Sequence, residues 1–366
     1  MARFNLINTP KRAILRWRHD RLMRRHAGEM LRPEEVDFAS VRRALVILPN
    51  WRMGNLLLAT PICQWLREGL QARGAKDPVI DLCSGDSFAS LLIHHPHVRR
   101  HIAIPTAFHP FARRAMHRSL AAEGYDLAFL ANYGGDHLGC KIAVATGARY
   151  RLGAGSGNEG PLNVIVKRPG KDDPITEQHR AVLERLGLEP DPSVDLTMVS
   201  TPEELEEARR EIASWSLGEG RRPVGLFPCG HRIKQIPLGH WARIIERLRQ
   251  DFPDLEPVVF HAPADRGKIE VLQRTLGTRP VRAVSAPLRR FCALVECMEA
   301  IISCDAGPLH LARAKRRPLV SLFTKPNHDK FAPTGPGRIC LFDPAGPSPQ
   351  EVSSALRRVR TEVPEP

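Results

Sequence analysis

Three short loops carry residue types that could hold a phosphorylated ligand, and each follows an apolar run of strand length. The first contains Arg52, Gly54 and Asn55 and leads into a helix. Glycine lets the backbone approach a ligand closely, and the free N–H groups of a helix N-terminus attract an anion. Asn55 is also a good helix cap, so by itself this loop is a weak signal for a binding role.

The second loop, residues 228–234, combines a glycine turn with basic side chains. Backbone N–H groups around Cys229 and Gly230, together with the Lys234 ammonium group, would suit a diphosphate. The alternative is a basic surface loop, and the pattern alone does not decide between the two.

The third loop reads DAGPLH and begins at Asp305. Gly307 permits a tight turn, and Pro308 suits the first turn of a helix, whose N-terminus again favours phosphate. Asp305 could instead cap that helix, and His310 is expected to be a packed helix residue.

Only a parallel sheet would bring such loops to one edge. Apolar runs alternate with helical segments, a spacing that predicts βαβ units. Strands are predicted at 44–48, 79–83, 101–104 and 127–130, and again at 223–228, 258–260, 281–284, 300–304 and 319–323. Two doubly wound halves hold a ligand beyond the carboxyl ends of their strands. The prediction is an α/β fold with two Rossmann-like domains facing a central cleft.

The domain boundaries follow from the same pattern. Residues 151–174 are rich in glycine and proline and are interpreted as a hinge. The predicted units are a basic N-terminal extension (1–43), a first Rossmann-like domain (44–175), a linker and hinge (176–222), a second Rossmann-like domain (223–347), and a C-terminal helix and tail (348–366).

Composition narrows the class of protein. A chain of 366 residues is long enough for two domains. No run approaches eighteen apolar residues, and the basic N-terminus lacks the apolar core of a secretory signal, which predicts a cytoplasmic protein. Eight cysteines occur without CxxC pairs or zinc-ligand spacing, so no metal site is expected. The motifs of P-loop NTPases, dinucleotide oxidoreductases and α/β-hydrolases are absent.

The net charge of +14 indicates an anionic partner: nucleic acid, a membrane surface or a substrate. Aromatic residues are only 6% of the chain, and no nucleic-acid-binding motif occurs, so nucleic acid is not expected as a partner. Residues 12–25 predict a helix studded with arginines that could lie on an anionic leaflet. Its short apolar stripe slightly favours packing against the body of the protein.

Taken in order, these segments resemble glycosyltransferase family 9, the lipopolysaccharide heptosyltransferases. RALVILPNWRMGNLLLATPICQWLR is similar to the opening strand, glycine turn and helix of the family, and VGLFPCGHRIKQIPLGHWARIIERL to the start of its second domain. ISCDAGPLHLARAKRRPLVSLFTKPNHDKFAPTGP matches the family segment D-[ST]-G-[PL]-x-H-L-A and the loop after it. The resemblance spans residues 43–345.

The resemblance implies a GT-B fold, an ADP-heptose donor, an anionic lipid-core acceptor, and an inverting reaction without a metal or other cofactor. It also implies a cytoplasmic location, with peripheral contact at the cytoplasmic face of the inner membrane as an open alternative. The residues carried over as donor-binding are Cys229, Gly230, Lys234, Asp265, Asp305, Ala306, Gly307 and His310. Those carried over as acceptor-binding are Arg52, Gly54, Asn132 and Tyr133.

The chain departs from the family at the proposed general base. The family reads Gly-Asp in the first loop, whereas this chain reads Gly54-Asn55, and an amide cannot accept a proton at neutral pH. General base catalysis contributes about 10²–10⁴-fold, so another group substitutes, or the activity differs, or it is lost. A second departure is Ala306, where the family usually has Ser or Thr.

Two carboxylates are the candidate substitutes for the missing base. Asp86 follows the second predicted strand and is the first choice, and Asp136 follows the fourth and is the second. Three histidines near Asp86 could also titrate, namely His94, His95 and His97. The alternative function is a catalytically degenerate protein that binds a nucleotide sugar on the same scaffold.

Overall fold

A computed structural model describes residues 29–105, 110–133, 137–155, 160–218, 220–230 and 234–362. The helix predicted at 12–25 and the candidate base Asp136 lie outside these ranges. In the described part of the chain, no helix is long and apolar enough to cross a bilayer.

The first half of the chain forms a six-stranded parallel sheet with strand order β3-β2-β1-β4-β5-β6. Its strands are β1 Arg43–Leu48, β2 Val79–Gly85, β3 Arg100–Ile104, β4 Leu127–Leu130, β5 Tyr150–Gly155 and β6 Val164–Lys167. β1 is hydrogen-bonded on both sides, to β2 and to β4, and residues 44–48 are all buried. A central strand covered on both faces needs a continuous apolar run, which is what this segment supplies.

The second half repeats the arrangement with strand order β12-β11-β10-β7-β8-β9, again all parallel. Its strands are β7 Arg222–Phe227, β8 Leu255–Phe260, β9 Arg282–Val284, β10 Ala300–Cys304, β11 Leu319–Phe323 and β12 Arg338–Phe342. Two such sheets confirm the predicted α/β fold with two Rossmann-like domains.

Helices connect the strands and cover both sheets. Their bounds are α1 Met53–Ala72, α2 Pro110–Ala122, α3 His137–Ala145, α4 Ile175–Arg185, α5 Pro202–Ala213, α6 Leu238–Asp251, α7 Arg266–Leu276, α8 Leu288–Glu296, α9 Gly307–Ala314, α10 His328–Phe331 and α11 Pro349–Glu362. The predicted helices of the second half match α6, α7, α8 and α11 to within a few residues.

The interpretation of residues 151–174 as a hinge is wrong, because two strands of the first sheet, β5 and β6, lie there. Gly153 shows why glycine occurs in this stretch. A Cβ at that position would lie 2.6 Å from Leu162 Cδ1, so glycine here makes room for a buried neighbour. The residue provides close packing rather than a flexible turn.

The strand order explains how distant loops reach one place. In each sheet the order reverses between two central strands, β1 and β4 in the first and β7 and β10 in the second. At such a switch point the loops leave in opposite directions and open a crevice at the carboxyl edge. The three loops singled out from the sequence follow β1, β7 and β10.

The segment between the domains is tied to both of them. Trp65 of α1 donates its indole N–H to the Asp191 carbonyl oxygen at 2.7 Å. Asp195 pairs with Arg313 and with Arg338 of the second domain, each at 2.6 Å. Residues 29–42 pack on the first domain, where Phe38 is buried.

Candidate active site

A cleft of about 750 Å³ lies between the carboxyl edges of the two sheets. The first domain contributes six lining residues: Trp51, Arg52, Met53, Gly54, Asn55 and Phe88. The second domain contributes the loops after its strands and part of α8, and its lining residues include Cys229, Lys234, Asp265, Asp305, Ala306, Gly307 and His310. The cleft is therefore large enough for a drug-sized or nucleotide-sized ligand.

The N-termini of α1 and α9 meet at the centre of this cleft. A Cβ at Gly54 would lie 2.7 Å from His310 Cδ2, and a Cβ at Gly307 would lie 3.5 Å from the Gly54 backbone nitrogen. Glycine at both positions lets the two helices approach this closely. Each helix N-terminus carries a partial positive charge and unpaired N–H groups, so together they form a strong site for an anion.

The loop that carries Trp51 is held by the end of β2. The Gly85 N–H donates to the Asn50 carbonyl oxygen at 2.9 Å, and the Arg52 N–H donates to Asn50 Oδ1 at 2.9 Å. A Cβ at Gly85 would lie 2.4 Å from Trp51 Cδ1, so only glycine leaves room for the indole ring. These contacts fix the first loop before any ligand arrives.

Lys234 and Asp305 form an ion pair inside the cleft, with Nζ and Oδ2 2.6 Å apart. Asn327 Nδ2 donates to the same Oδ2 at 2.8 Å, and the Lys234 ammonium lies 5.5 Å from the Phe331 ring centroid. Asp305 is buried. The carboxylate thus holds the lysine in position, and the ammonium group still has donors to offer a phosphate.

Three phenylalanines form an apolar pocket at the second-domain end of the cleft. Phe227 and Phe260 stack with centroids 5.2 Å apart, and Phe291 meets both edge-on, at 5.7 and 5.6 Å. Asp265, paired with Lys268 at 2.6 Å, also lines the cleft. Flat apolar surface with a carboxylate beside it suits a nucleoside, because the base needs stacking area and the ribose needs an acceptor.

This aromatic pocket is absent from the sequence prediction. Phe227 and Phe260 are the last residues of β7 and β8, so their position at the carboxyl edge was a usable signal. Phe291 lies on α8 and carried no such signal.

The loop after β7 makes a close approach to β10. A Cβ at Gly230 would lie 3.0 Å from Cys304 Sγ and 3.6 Å from Ala306 Cβ, which explains the glycine. Burial raises the pKa of the half-buried Cys229 thiol to about 11, so it stays protonated and acts as a packing group. His310 is fully neutral at pH 7, because burial and then the charge of Arg313 lower its pKa to about 4.

Two of the predicted acceptor residues lie outside the cleft lining. The Tyr133 hydroxyl bonds to His179 Nδ1 at 2.8 Å, and burial raises the Tyr133 pKa well above its usual value. Asn132 is exposed and is also not among the lining residues. Arg52 and Gly54 do line the cleft.

The candidate replacements for the missing base that the structure describes do not line the cleft either. Asp86 is exposed beyond β2 and does not line it. His95 is buried, and desolvation followed by the charge of His97 lowers its pKa to about 4. Among described residues, the carboxylates lining the cleft are Asp265 and Asp305, both in the second domain and both paired with lysine. In the part of the first-domain wall that the structure describes, Asn55 therefore stands without a carboxylate.

No group of three or more His, Cys, Asp or Glu side chains that could hold a metal occurs in the ranges that the structure describes. Among described residues, Lys234, Arg52 and the two helix N-termini are positive groups that the cleft offers to an anionic ligand.

A model of glycosyltransferase family 9 (heptosyltransferase) matches residues 113–356. Lipopolysaccharide heptosyltransferase 2 of Escherichia coli K12 is 24% identical over 312 residues, which cover 80% of this chain and 85% of that protein. Lipopolysaccharide heptosyltransferase 3 of the same organism is 26% identical over 162 residues, and this match spans 46% of that relative's length.

Solved structures with the same fold include a family 9 glycosyl transferase from Veillonella parvula, with a TM-score of 0.76 and 17% identity over 92% of this chain and 100% of that one. The E. coli ADP-heptose lipopolysaccharide heptosyltransferase II has a TM-score of 0.71 and 21% identity, covering 87% of this chain and 98% of that one. An E. coli heptosyltransferase solved with ADP-2-deoxy-2-fluoro heptose has a TM-score of 0.60 and 18% identity, covering 83% and 94%.

Proposed function

Because the chain belongs to glycosyltransferase family 9, the heptosyltransferase family, we propose that it transfers a heptose or related sugar from an ADP-sugar to an anionic surface-glycan acceptor such as a lipopolysaccharide core. The observation that supports this most directly is the cleft itself. It combines an aromatic nucleoside pocket, a lysine and two facing helix N-termini in one continuous space.

The donor is proposed to lie along the second-domain wall. Its base packs among Phe227, Phe260 and Phe291, and its ribose bonds to Asp265. The diphosphate then reaches the positive end of the cleft, near Lys234 and the N-terminus of α9. Backbone N–H groups around Cys229, Gly230, Ala306 and Gly307 complete the phosphate contacts, with Asp305 and His310 supporting them from behind.

The acceptor is proposed to enter along the first-domain wall, near Arg52 and Gly54, with Asn132 and Tyr133 farther along the same domain. In an inverting transfer, the acceptor hydroxyl oxygen bonds to the anomeric carbon as the bond from that carbon to the diphosphate oxygen breaks. ADP leaves with the electron pair, and the hydroxyl proton passes to a base. Lys234 and the helix N-termini stabilise the charge that develops on the leaving diphosphate, which supports a metal-independent reaction.

The direct test is a transfer assay with ADP-heptose and deacylated core acceptor, together with a thermal-shift series of ADP, UDP and GDP. We expect sugar transfer and selective stabilisation by ADP. A ligand at 100 times its Kd raises the free energy of unfolding by about 2.7 kcal/mol, which a thermal shift detects. If the protein neither transfers sugar nor is stabilised by ADP, the proposal is contradicted.

A second candidate function is supported by Asn55, because the described residues of the first-domain wall include no carboxylate. Under this alternative the protein binds the nucleotide sugar without catalysing transfer. Asp86 and Asp136 remain candidate bases for an active enzyme, and both are proposals.

Replacement of Asn55 by Asp distinguishes the two functions. If the base is missing, Asn55→Asp raises the turnover number by at least about 100-fold, since a general base contributes about 10²–10⁴-fold. Asn50→Asp is the matched control, because it adds the same charge to the same loop at a residue outside the cleft lining. A parent protein that already transfers as fast as Asn55→Asp would exclude the degenerate function.

We further propose a cytoplasmic location, with peripheral contact at the cytoplasmic face of the inner membrane. The proposal rests on the family's lipid-linked acceptors, the net charge of +14 and the basic N-terminal extension.

A further inference from the structure

Helix α2 (Pro110–Ala122) presents an exposed face that combines an aromatic ring with arginines. Phe111 is 87% exposed, the largest exposed fraction among the large hydrophobic side chains that the structure describes. Arg114 and Arg118 are exposed as well, and they follow Phe111 at spacings of three and seven residues. Residues three, four and seven apart share one side of a helix, so these three side chains form a single stripe, with Ala115 between them.

The opposite side of α2 anchors the helix. Met116 and Leu120 are buried in the cluster that contains Leu45 and Ile47 of β1. Val46 and Leu48 of the same strand belong to the core on the other face of the sheet, which α1 covers. Helix α1, which contacts α9 of the second domain, therefore lies on the other side of the sheet. The stripe of α2 faces outwards.

Among the residues that the structure describes, no carboxylate neutralises the charges of this stripe. Helix α2 contains three arginines and a histidine but no acidic residue. Of the carboxylates that the structure describes, none lies within 4.0 Å of Arg114 or Arg118. Some outward-facing arginines on other helices do have such partners, for example Arg180 with Glu177, Arg247 with Asp251 and Arg266 with Glu270.

Further basic residues near the stripe are Arg113 on α2 itself and Lys141 on the neighbouring helix α3. Arg113 donates to the Pro105 carbonyl oxygen at 3.0 Å. The pKa of His117 is lowered by burial and then by the charges of Lys141, on the neighbouring helix α3, and of Arg113. A cationic surface with an exposed phenylalanine at one end fits an anionic bilayer surface, which has an apolar layer beneath its charges.

We propose that the α2 stripe, defined as Phe111, Arg114, Ala115 and Arg118, docks the protein on an anionic phospholipid bilayer. Phe111 enters the boundary between headgroups and acyl chains, and the two arginines bind lipid phosphates. Helix α2 begins at the carboxyl edge of the first sheet, the edge that also carries the loop with Arg52 and Asn55. A lipid-linked acceptor would then meet the cleft from the surface on which the protein rests.

The docking proposal is tested without any transfer reaction, so it can fail or succeed independently of the proposed function. The full chain is sedimented with sucrose-loaded vesicles of phosphatidylcholine alone, or with a quarter of the lipid replaced by phosphatidylglycerol. We expect binding to the anionic vesicles that weakens with salt, and little binding to the neutral ones.

Two variants address the charged and apolar parts of the stripe. The double variant Arg114→Glu and Arg118→Glu is expected to lower the vesicle partition coefficient by at least about 30-fold, which corresponds to about 1 kcal/mol for each arginine. Phe111→Ser is expected to lower it by about tenfold, because a partly inserted ring loses part of its burial free energy. Both variants should melt as the parent does and keep the parent's stabilisation by ADP.

The matched control is the double variant Arg266→Glu and Arg358→Glu, which makes the same change in net charge at exposed sites on the second domain. It should bind vesicles almost as the parent does. Equal losses in the control and the α2 variant would show nonspecific attraction and overturn the proposal. So would unchanged binding of the α2 variant, or a Phe111→Ser protein that instead loses self-association in sedimentation velocity.

Discussion

Lys234 is held in the cleft by two contacts of its ammonium group, an ion pair with Asp305 and a position over the Phe331 ring. This arrangement places a positive charge where a diphosphate would lie and fixes its position before binding. An ordered, partly buried lysine loses little conformational freedom when a ligand arrives, so most of its attraction contributes to affinity.

Lys234→Ala is expected to raise the Kd for ADP by about 10- to 100-fold, because a hydrogen bond to a charged group contributes about 1.5–3 kcal/mol. Calorimetric titration with ADP measures this. Lys325→Ala is the control, since it removes the same charge from an exposed position in the same domain. An unchanged Kd for Lys234→Ala would remove this lysine from the donor site.

Three buried histidines make stability sensitive to acid. Burial lowers the pKa of His95 and of His310 to about 4, and that of His179 to about 3. In the unfolded chain a histidine titrates near 6.5, so the unfolded state binds protons first as the pH falls. The stabilisation is therefore complete above about pH 6.5 and is lost as the pH drops from there towards about 4.

The free energy of unfolding should consequently decrease between pH 7 and pH 5, by up to about 1.4 kcal/mol per pH unit for each buried histidine. Urea denaturation at a series of pH values measures the slope. His95→Gln should reduce the slope by one histidine's share, and the same replacement at the exposed neighbour His94 is the matched control. Equal slopes for the two variants would contradict this assignment.

At the scale of elements, the meeting of α1 and α9 depends on glycine at the second residue of α1. The facing group is the buried ring of His310, which cannot swing away as a flexible chain end could. The contact joins the two domains at the point where the proposed phosphate site lies. Local crowding there should therefore affect both stability and ligand binding.

Gly54→Ala is expected to lower the free energy of unfolding by about 1–3 kcal/mol, the usual cost of overpacking. It should also weaken ADP binding, because the helix N-termini must separate. Gly239→Ala is matched to it, since Gly239 is likewise the second residue of a helix, α6, but a Cβ there meets nothing within 4 Å. This control should be neutral or stabilised by up to about 1 kcal/mol. Urea denaturation compares the two variants, and equal effects would show that helix propensity alone is responsible.

At the scale of the whole molecule, a small ionic cluster fixes the connecting segment to the second domain. Burial opposes ionisation of Asp195, but the charges of Arg313 and Arg338 outweigh it, so the Asp195 pKa is lowered. Another ion pair, between Arg289 and Glu204, joins α8 to α5. Apart from Arg338, which begins β12, the residues of these contacts lie outside the sheets, so the contacts act mainly on how the domains are joined.

Asp195→Asn is expected to destabilise the protein by about 3 kcal/mol, because two partly buried arginines lose their shared carboxylate. Asp172→Asn, at an exposed loop position, should change stability by less than about 0.5 kcal/mol. Both values follow from urea denaturation. A loss below 1 kcal/mol for Asp195→Asn would show that the cluster is solvated and contributes little.

The sequence by itself determined the features that rest on local signals. Continuous apolar runs identified β1, β7 and β10, because strands buried on both faces of a parallel sheet need such runs. Glycine and proline just after them identified the loops that line the cleft, since turn geometry depends on neighbouring residues alone. The order of these segments along the chain then indicated the family.

Only the tertiary structure decided what depends on contacts between distant residues. It assembled the aromatic pocket from β7, β8 and α8, and it paired Lys234 with Asp305 across 71 positions of the chain. In the structure Asp86 does not line the cleft, and the glycine-rich stretch at 151–174 contains two strands, β5 and β6. Burial and pairing arise from the packing of whole elements, so no local pattern could have specified them.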